Sequence, residues 1–342
     1  MNFVGLDLGS YEFKAVELSK TKKGQRELVT YSSAPAPPHF LTSDSEVDLA
    51  AYSKALEKFY SDAGFSTRNV IAALPESQVF TRVISVPKMS DKELKAAMNW
   101  EAEQYIPIPL EEVSLDYQII GDTAEAVDKM DVLLVAAPLT LTKKYLRIIS
   151  GAKLDTVGLE TETLATARAL VGLDSSSPTT LVVSIGAATT DISIVSGGFI
   201  RFTRSISTGG EAFARAVSQE LGFEIGRARE YMRSYGLEES QLEGKVMKAI
   251  KPIFDVVVSE IKRSIAYYRA HRKSDIIKRV VVSGGAANLP GILVYLAAVL
   301  NLEVQVADPW EGLIIPEKFS REELEDVGPR FAVAVGLALK DV

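Results

Sequence analysis

From residue 3 onward the chain alternates short apolar runs with polar turns. Segments 3–7 (FVGLD), 13–18 (FKAVEL) and 27–33 (ELVTYSS) carry the β-branched and aromatic residues of strands, the last two joined by the polar turn KTKKGQR. APAPP at 34–38 is an extended connector, because consecutive prolines oppose helix. At 48–63 the period becomes helical, with Leu49, Tyr52, Leu56, Phe59 and Tyr60 recurring on one face and Gly64 as the stop. NVIAALP at 69–75 reads as a short buried strand.

The next segment differs in character. VFTRVISVP alternates as a strand, and SDKELKAAMNWEAEQYI is an amphipathic helix opened by Ser90 as N-cap with Glu93 three residues on, halted by IPIP. Strands LDYQII and DVLLVAAP and a helix LTKKYLRIISGA complete a unit of roughly 75 residues, half the ordinary ~150 per domain, so it reads as an insertion. A helix at 160–171 and a polar linker, GLDSSSPT, follow. Then LVVSIGAATTDISIV repeats the opening hairpin FVGLDLGSYEFKAVEL, and GFIRFTRSIS extends it. Helices from about residue 210, at 225–235 and at 251–272, the strand VVVSG, a helix at 291–300, the strand EVQVA and a last helix finish the chain. A hairpin followed by helices occurs twice, which predicts two related α/β domains facing one another.

Composition narrows this further. The 342 residues suffice for two cores, and 24% charged with 47% hydrophobic residues is the balance of a soluble globular protein. A formal net charge of −7 gives no global attraction to nucleic acid or anionic lipid. The absence of cysteine excludes disulfides, thiolate metal sites and a thiol nucleophile. His39 and His271 stand too far apart to suggest a metal pair. No apolar run approaches the ~20 residues of a membrane-spanning helix, and the start of the chain lacks the layout of a signal peptide. A cytoplasmic protein is expected, held at a membrane only by a partner.

Three glycine turns follow apolar strands: Asp7-Leu8-Gly9-Ser10, Ser184 to Thr189 (SIGAAT), and Ser283-Gly284-Gly285-Ala286. Small residues let main-chain N–H groups approach phosphate oxygens, and a carboxylate ahead of the turn can hold magnesium through waters. These turns resemble, in order, the first phosphate, second phosphate and adenosine motifs of the actin, Hsp70 and sugar-kinase superfamily. AMNWEAEQYIPIPLEEVSLDYQII and FAVAVGLAL make the chain most similar to the PilM family of type IV pilus assembly, and next to FtsA of cell division.

The resemblance implies duplicated actin-like (ribonuclease H-like) α/β domains with an inserted α+β subdomain of the FtsA/PilM type. The expected subdomains are 1A at 1–78, 1C at 79–155, 1A again at 156–177, 2A at 178–208, 2B at 209–276, 2A again at 277–320, and 1A once more at 321–342. It also implies ATP or ADP with Mg2+ between the domains, and the cytoplasmic tail of a PilN-like inner-membrane protein in a groove near 1A and 1C, with other pilus components as partners and self-association left open. Nucleic acid and direct membrane insertion are not expected.

The expected nucleotide contacts are Gly9, Ser10, Lys14, Gly186, Ala187, Thr189, Gly209, Gly210, Gly284, Gly285 and Ala286. Asp7 is expected at the magnesium, since an unpaired carboxylate is costly to bury. Lys14 points either to phosphate or to solvent. Glu162 is either a water-orienting carboxylate or an ordinary first-turn glutamate.

Two departures weaken the pattern: Ser184 stands where the superfamily has Asp, and the ungapped register puts Arg229 and Met232 where it has Glu and Lys. A shift by one residue would offer Glu230 and Arg233 instead, at a rotation of about 100° on the helix. Trp100, Ile106 and Pro107 are either insert core or a peptide groove. The expectation is a scaffold with weak nucleotide binding and little hydrolysis; the alternatives are an active actin-like ATPase or an FtsA-like division protein.

Overall fold

The computed structural model describes residues 2–38, 42–122, 128–172, 177–272 and 275–341; His39 lies outside them. The elements run β1 (Val4–Leu8), β2 (Glu12–Lys20), β3 (Arg26–Pro35), α1 (Glu46–Ala63), β4 (Asn69–Leu74), β5 (Phe80–Pro87), α2 (Asp91–Glu103), β6 (Val113–Asp122), β7 (Lys129–Pro138), α3 (Leu139–Gly151), β8 (Asp155–Thr161) and α4 (Glu162–Leu170). They continue with β9 (Thr180–Ile185), β10 (Thr190–Ser196), β11 (Phe199–Ile206), α5 (Gly210–Leu221), α6 (Ile225–Tyr235), α7 (Lys245–His271), β12 (Arg279–Ser283), α8 (Ile292–Leu300), β13 (Glu303–Val306) and α9 (Arg321–Ala338).

The duplication is explicit in the sheets. One has the order β3-β2-β1-β4-β8 and the other β11-β10-β9-β12-β13. In both, the first three strands are antiparallel and the last two join in parallel. The expected caps are present: Gly64 takes a left-handed conformation (φ 68°) at the end of α1, and Ser90 and Glu93 form a reciprocal capping box on α2.

Strand β8 has no counterpart in the sequence reading, which assigned residues 160–171 to a helix. Gly158 and the acidic residues at both ends mask an edge strand that is only half-buried, so no run of core residues marks it. Helix α7 begins at Lys245 rather than near Lys251, because Pro252 resembles a first-turn residue but here lies inside the helix.

The layers follow from which faces are apolar. Helices α1 and α3 cover one face of the first sheet, and α5 to α8 cover one face of the second. The two remaining faces meet through α4 and α9. Those helices approach to backbone contact: a Cβ on Gly336 would stand 1.8 Å from the Ala165 carbonyl oxygen, and one on Gly5 of β1 would stand 2.1 Å from that of Ala334.

The insert forms a third sheet, β5-β7-β6, with α2 on one face, where its Leu94 and Met98 pack with Ile84, Ile106, Val132 and Leu134. Its other face, through Ile120 and Leu133, packs on Val182, Val195 and Ile200 of the second sheet. Helix α3, which falls inside the range expected for the insert, buries Leu141, Tyr145, Ile148 and Ile149 in the first domain's core. Among the described residues, no helix is long and apolar enough to cross a membrane.

Candidate functional site

The hairpin turns of the two large sheets face each other across a cleft. Its inner end is lined by Asp7, Gly9, Ser10, Lys14, Glu162, Ser184, Gly186, Ala187, Thr189, Asp191, Gly284 and Gly285, and encloses about 130 Å³. It opens into a wider bay of about 420 Å³ lined by Tyr11, Gly210, Arg229, Met232, Arg233, Ala286 and Arg330 among others. All three glycine turns therefore converge on one place, as their order along the chain implies.

Several expected roles change in detail. Asp7 is buried but not unpaired: Lys14, its cross-strand neighbour in register, donates to its carboxylate at 2.5 Å. Lys14 thus points into the cleft, where it pairs with Asp7, and not to solvent.

Glycine amides near the second and third turns are largely spent on the fold. Gly210 N–H donates to the Gly186 carbonyl (2.9 Å), Gly284 N–H to that of Pro329 (2.8 Å), and Ala286 N–H to that of Ile185 (3.2 Å). Gly209 is buried behind the second turn, where a Cβ would meet the Gly186 carbonyl oxygen at 2.6 Å. These three amides are engaged by the fold, and the glycines here bring backbones close.

On α6, Arg229 and Met232 of the ungapped register line the bay, as does Arg233 of the shifted one. Ala228 and Met232 are buried, Arg229 and Arg233 line the bay, and Glu230 is exposed and outside the lining. One residue step turns a helix by about 100°, which carries Glu230 off the cleft face. Arg229 forms a two-pronged pair with Glu211 at 3.0 and 2.9 Å and lies over the Tyr11 ring, 5.4 Å from its centroid. It therefore joins the second domain to the first hairpin across the bay.

The residue that sequence reasoning missed is Asp191. It pairs in register with Ser184, so the second hairpin carries its carboxylate one strand over, on β10. Its signal is the Asp that follows Thr190 in LVVSIGAATTDISIV, on the far side of the turn from Ser184.

Asp191 is 8% exposed and accepts a hydrogen bond from Ser205 Oγ at 2.5 Å. Burial, reinforced by the nearby Glu76 carboxyl, pushes its pKa up to about 7 against that bond. Glu162, at the first turn of α4, is raised well above the carboxylate range by burial and then by the charges of Asp191 and Asp7, offset in part by the Glu76 N–H that donates to it at 3.2 Å and by Lys14.

Among the described residues, no three His, Asp or Glu side chains converge to hold a metal directly. A water-ligated cation brought by a phosphate ligand does fit this floor. Asp191 and Glu162 are under-compensated carboxyls facing a cleft, and Gly9 leaves a space where a Cβ would crowd the Glu12 carbonyl at 2.9 Å.

The expected partner residues do not form one surface. Ile106 is buried in the insert core, because the chain leaving α2 folds back under it. Trp100 is 67% exposed on α2, and Pro107 is exposed beside a shallow depression formed by residues 103 and 106–111.

Comparison with known proteins places this architecture. A family model described as type IV pilus assembly protein PilM matches residues 5–342. The chain belongs to the PilM family. A solved PilM–PilN type IV pilus biogenesis complex is similar to it at 29% identity and a TM-score of 0.86, covering 99% of this chain and 98% of that one. MreB5 of Spiroplasma citri bound to AMPPNP shares the fold at 14% identity, a TM-score of 0.54, and 98% and 94% coverage. FtsA of Neisseria meningitidis serogroup B is 26% identical over 212 residues, 55% of this chain, and the matched part spans 48% of that protein's length. The fold of this PilM-family chain is thus actin-like, with duplicated domains.

Proposed function

We propose that this PilM-family chain is a cytoplasmic scaffold of type IV pilus assembly, held at the inner face of the membrane by the cytoplasmic tail of a PilN-like protein. The observation that carries this reading is the likeness, over nearly its full length, to a PilM that was solved with PilN. The subdomain ranges set out above are kept in this reading except at α3, which packs in the core of the first domain. The tail docks on the outer face of the insert, where Trp100 is a large exposed aromatic of the type that anchors interfaces. Titration of the tail of a PilN-like partner should show saturable binding, weakened about tenfold or more by Trp100→Ala. Absence of binding at high micromolar peptide overturns the reading; unchanged binding by Trp100→Ala overturns only the location.

In the same reading, ATP or ADP with Mg2+ occupies the cleft as a conformational ligand that turns over little. Arg229 and Met232 stand where a ribose-binding pair is expected, and Lys14 is engaged by Asp7. An active ATPase is the second reading, and Asp191 favours it, because the cleft then keeps a carboxylate from each hairpin. Phosphate release measured with Mg2+ and saturating ATP decides between them. Turnover at background with calorimetrically detectable binding is expected, whereas steady release lost in both Asp7→Ala and Asp191→Asn moves the chain into the ATPase class.

A further inference from the structure

One strand touches the cleft floor, the junction beneath it and the insert. On β11, Ser205 donates to Asp191 in the cleft. Two residues back, on the same face, Thr203 lies beside the Glu76 carboxyl and donates to the Thr81 carbonyl, at the start of the insert, at 3.5 Å. Between Thr203 and Ile200 the register with β10 slips, and a slip of this kind re-aims side chains. As a result Ile200 and Arg201 both address the insert: Ile200 packs in one cluster with Ile120 and Leu133, and Arg201 pairs with Asp131. Asp131 is fully buried, is paired as well with Arg272 at the end of α7, and accepts from Ser85 Oγ at 2.7 Å. Glu76 in turn returns to the cleft, since its N–H donates to Glu162 and its carboxyl is bonded by Thr163 on α4.

We propose that β11 couples the cleft to the insert, so that a change of charge at Asp191 is transmitted through Thr203 and Glu76 to the Arg201–Asp131 contact and alters how firmly the insert sheet is held. The insert is continuous in sequence with the first domain, yet this face of it is fastened to the second. A cleft ligand that repositions the second domain must therefore work on the insert as well. This rests on the reading of the cleft as a ligand site, but one arm of its test does not.

The measurement is hydrogen exchange in β5 and β7 of the whole chain. In the first arm Mg–ATP is added, with binding checked separately by calorimetry; in the second, ligand-free arm, Asp191→Asn replaces the ligand. Either perturbation should change exchange in β5 and β7 by about fivefold or more, the scale of ordinary coupling between sites. Thr203→Val should abolish the change while leaving nucleotide affinity within about twofold, and Thr203→Ser, which keeps the hydroxyl, should restore it. If ATP does not bind, the cleft reading fails and the Asp191→Asn arm alone decides the coupling. No change in the insert with Asp191→Asn, or a change that persists in Thr203→Val, overturns it.

Discussion

Asp131→Ala should lower the unfolding free energy by about 3 to 5 kcal/mol, the scale of breaking a buried ion pair from one side. The native carboxylate is fully buried and faces two guanidiniums, Arg201 and Arg272, with Ser85 bonded to one of its oxygens. Removing it leaves two cations of the second domain against the insert without their shared ion-pair partner, with Asp275 as a remaining nearby negative charge. Burial and the neighbouring Arg272 charge already press the Arg201 pKa downward. Urea unfolding followed by circular dichroism measures the loss. Asp131→Leu combined with Arg201→Met and Arg272→Met should recover much of it, because a well-packed apolar cluster avoids the desolvation of all three charges. If Asp131→Ala unfolds at the native midpoint, the pair is not holding the insert to the second domain.

Asp191→Asn should act in the opposite direction, and only where the native carboxyl is strained. A carboxyl of ordinary pKa 3.8 raised to about 7 favours the folded state fully at pH values below its unfolded pKa. That advantage is lost as pH rises toward the folded value, since the unfolded chain ionises freely while the native one must hold its proton or bury a charge. About three units correspond to about 4 kcal/mol. The gain from Asp191→Asn should therefore be near zero around pH 4 and reach about 2 to 4 kcal/mol by pH 8. Equal unfolding midpoints of the two chains at pH 8 would refute the assignment. A site residue that costs stability in this way is the usual mark of a position kept for a ligand rather than for the fold.

Much of the architecture was legible because duplication repeats its own signals. The two hairpins, the capping box at Ser90, the stop at Gly64 and helix 225–235 all stand where periodicity and end residues place them. Strand β8 was hidden because an edge strand that continues directly into a helix carries neither a core run nor a turn signal.

In the site, the glycine turns were found and stand together in one cleft, but sequence shows that backbone can come close without showing which of its amides are already engaged. Asp191 was missed for a related reason. A carboxylate directly across an antiparallel pair occupies nearly the same space as one ahead of the turn, yet in sequence it lies seven residues away from Ser184. Glu76 and Asp131 gave no signal of any kind, because their partners come from distant segments.

The contact of Gly336 with Ala165 has a mechanical meaning. Two helices whose backbones touch cannot slide along one another, so α4 and α9 behave as a single block between the sheets. That block meets the second domain at Pro329, whose carbonyl holds the Gly284 amide at the rim of the cleft. One contact between that block and the second domain therefore lies at the third glycine turn. A change of angle at that contact would also be a change in the width of the cleft.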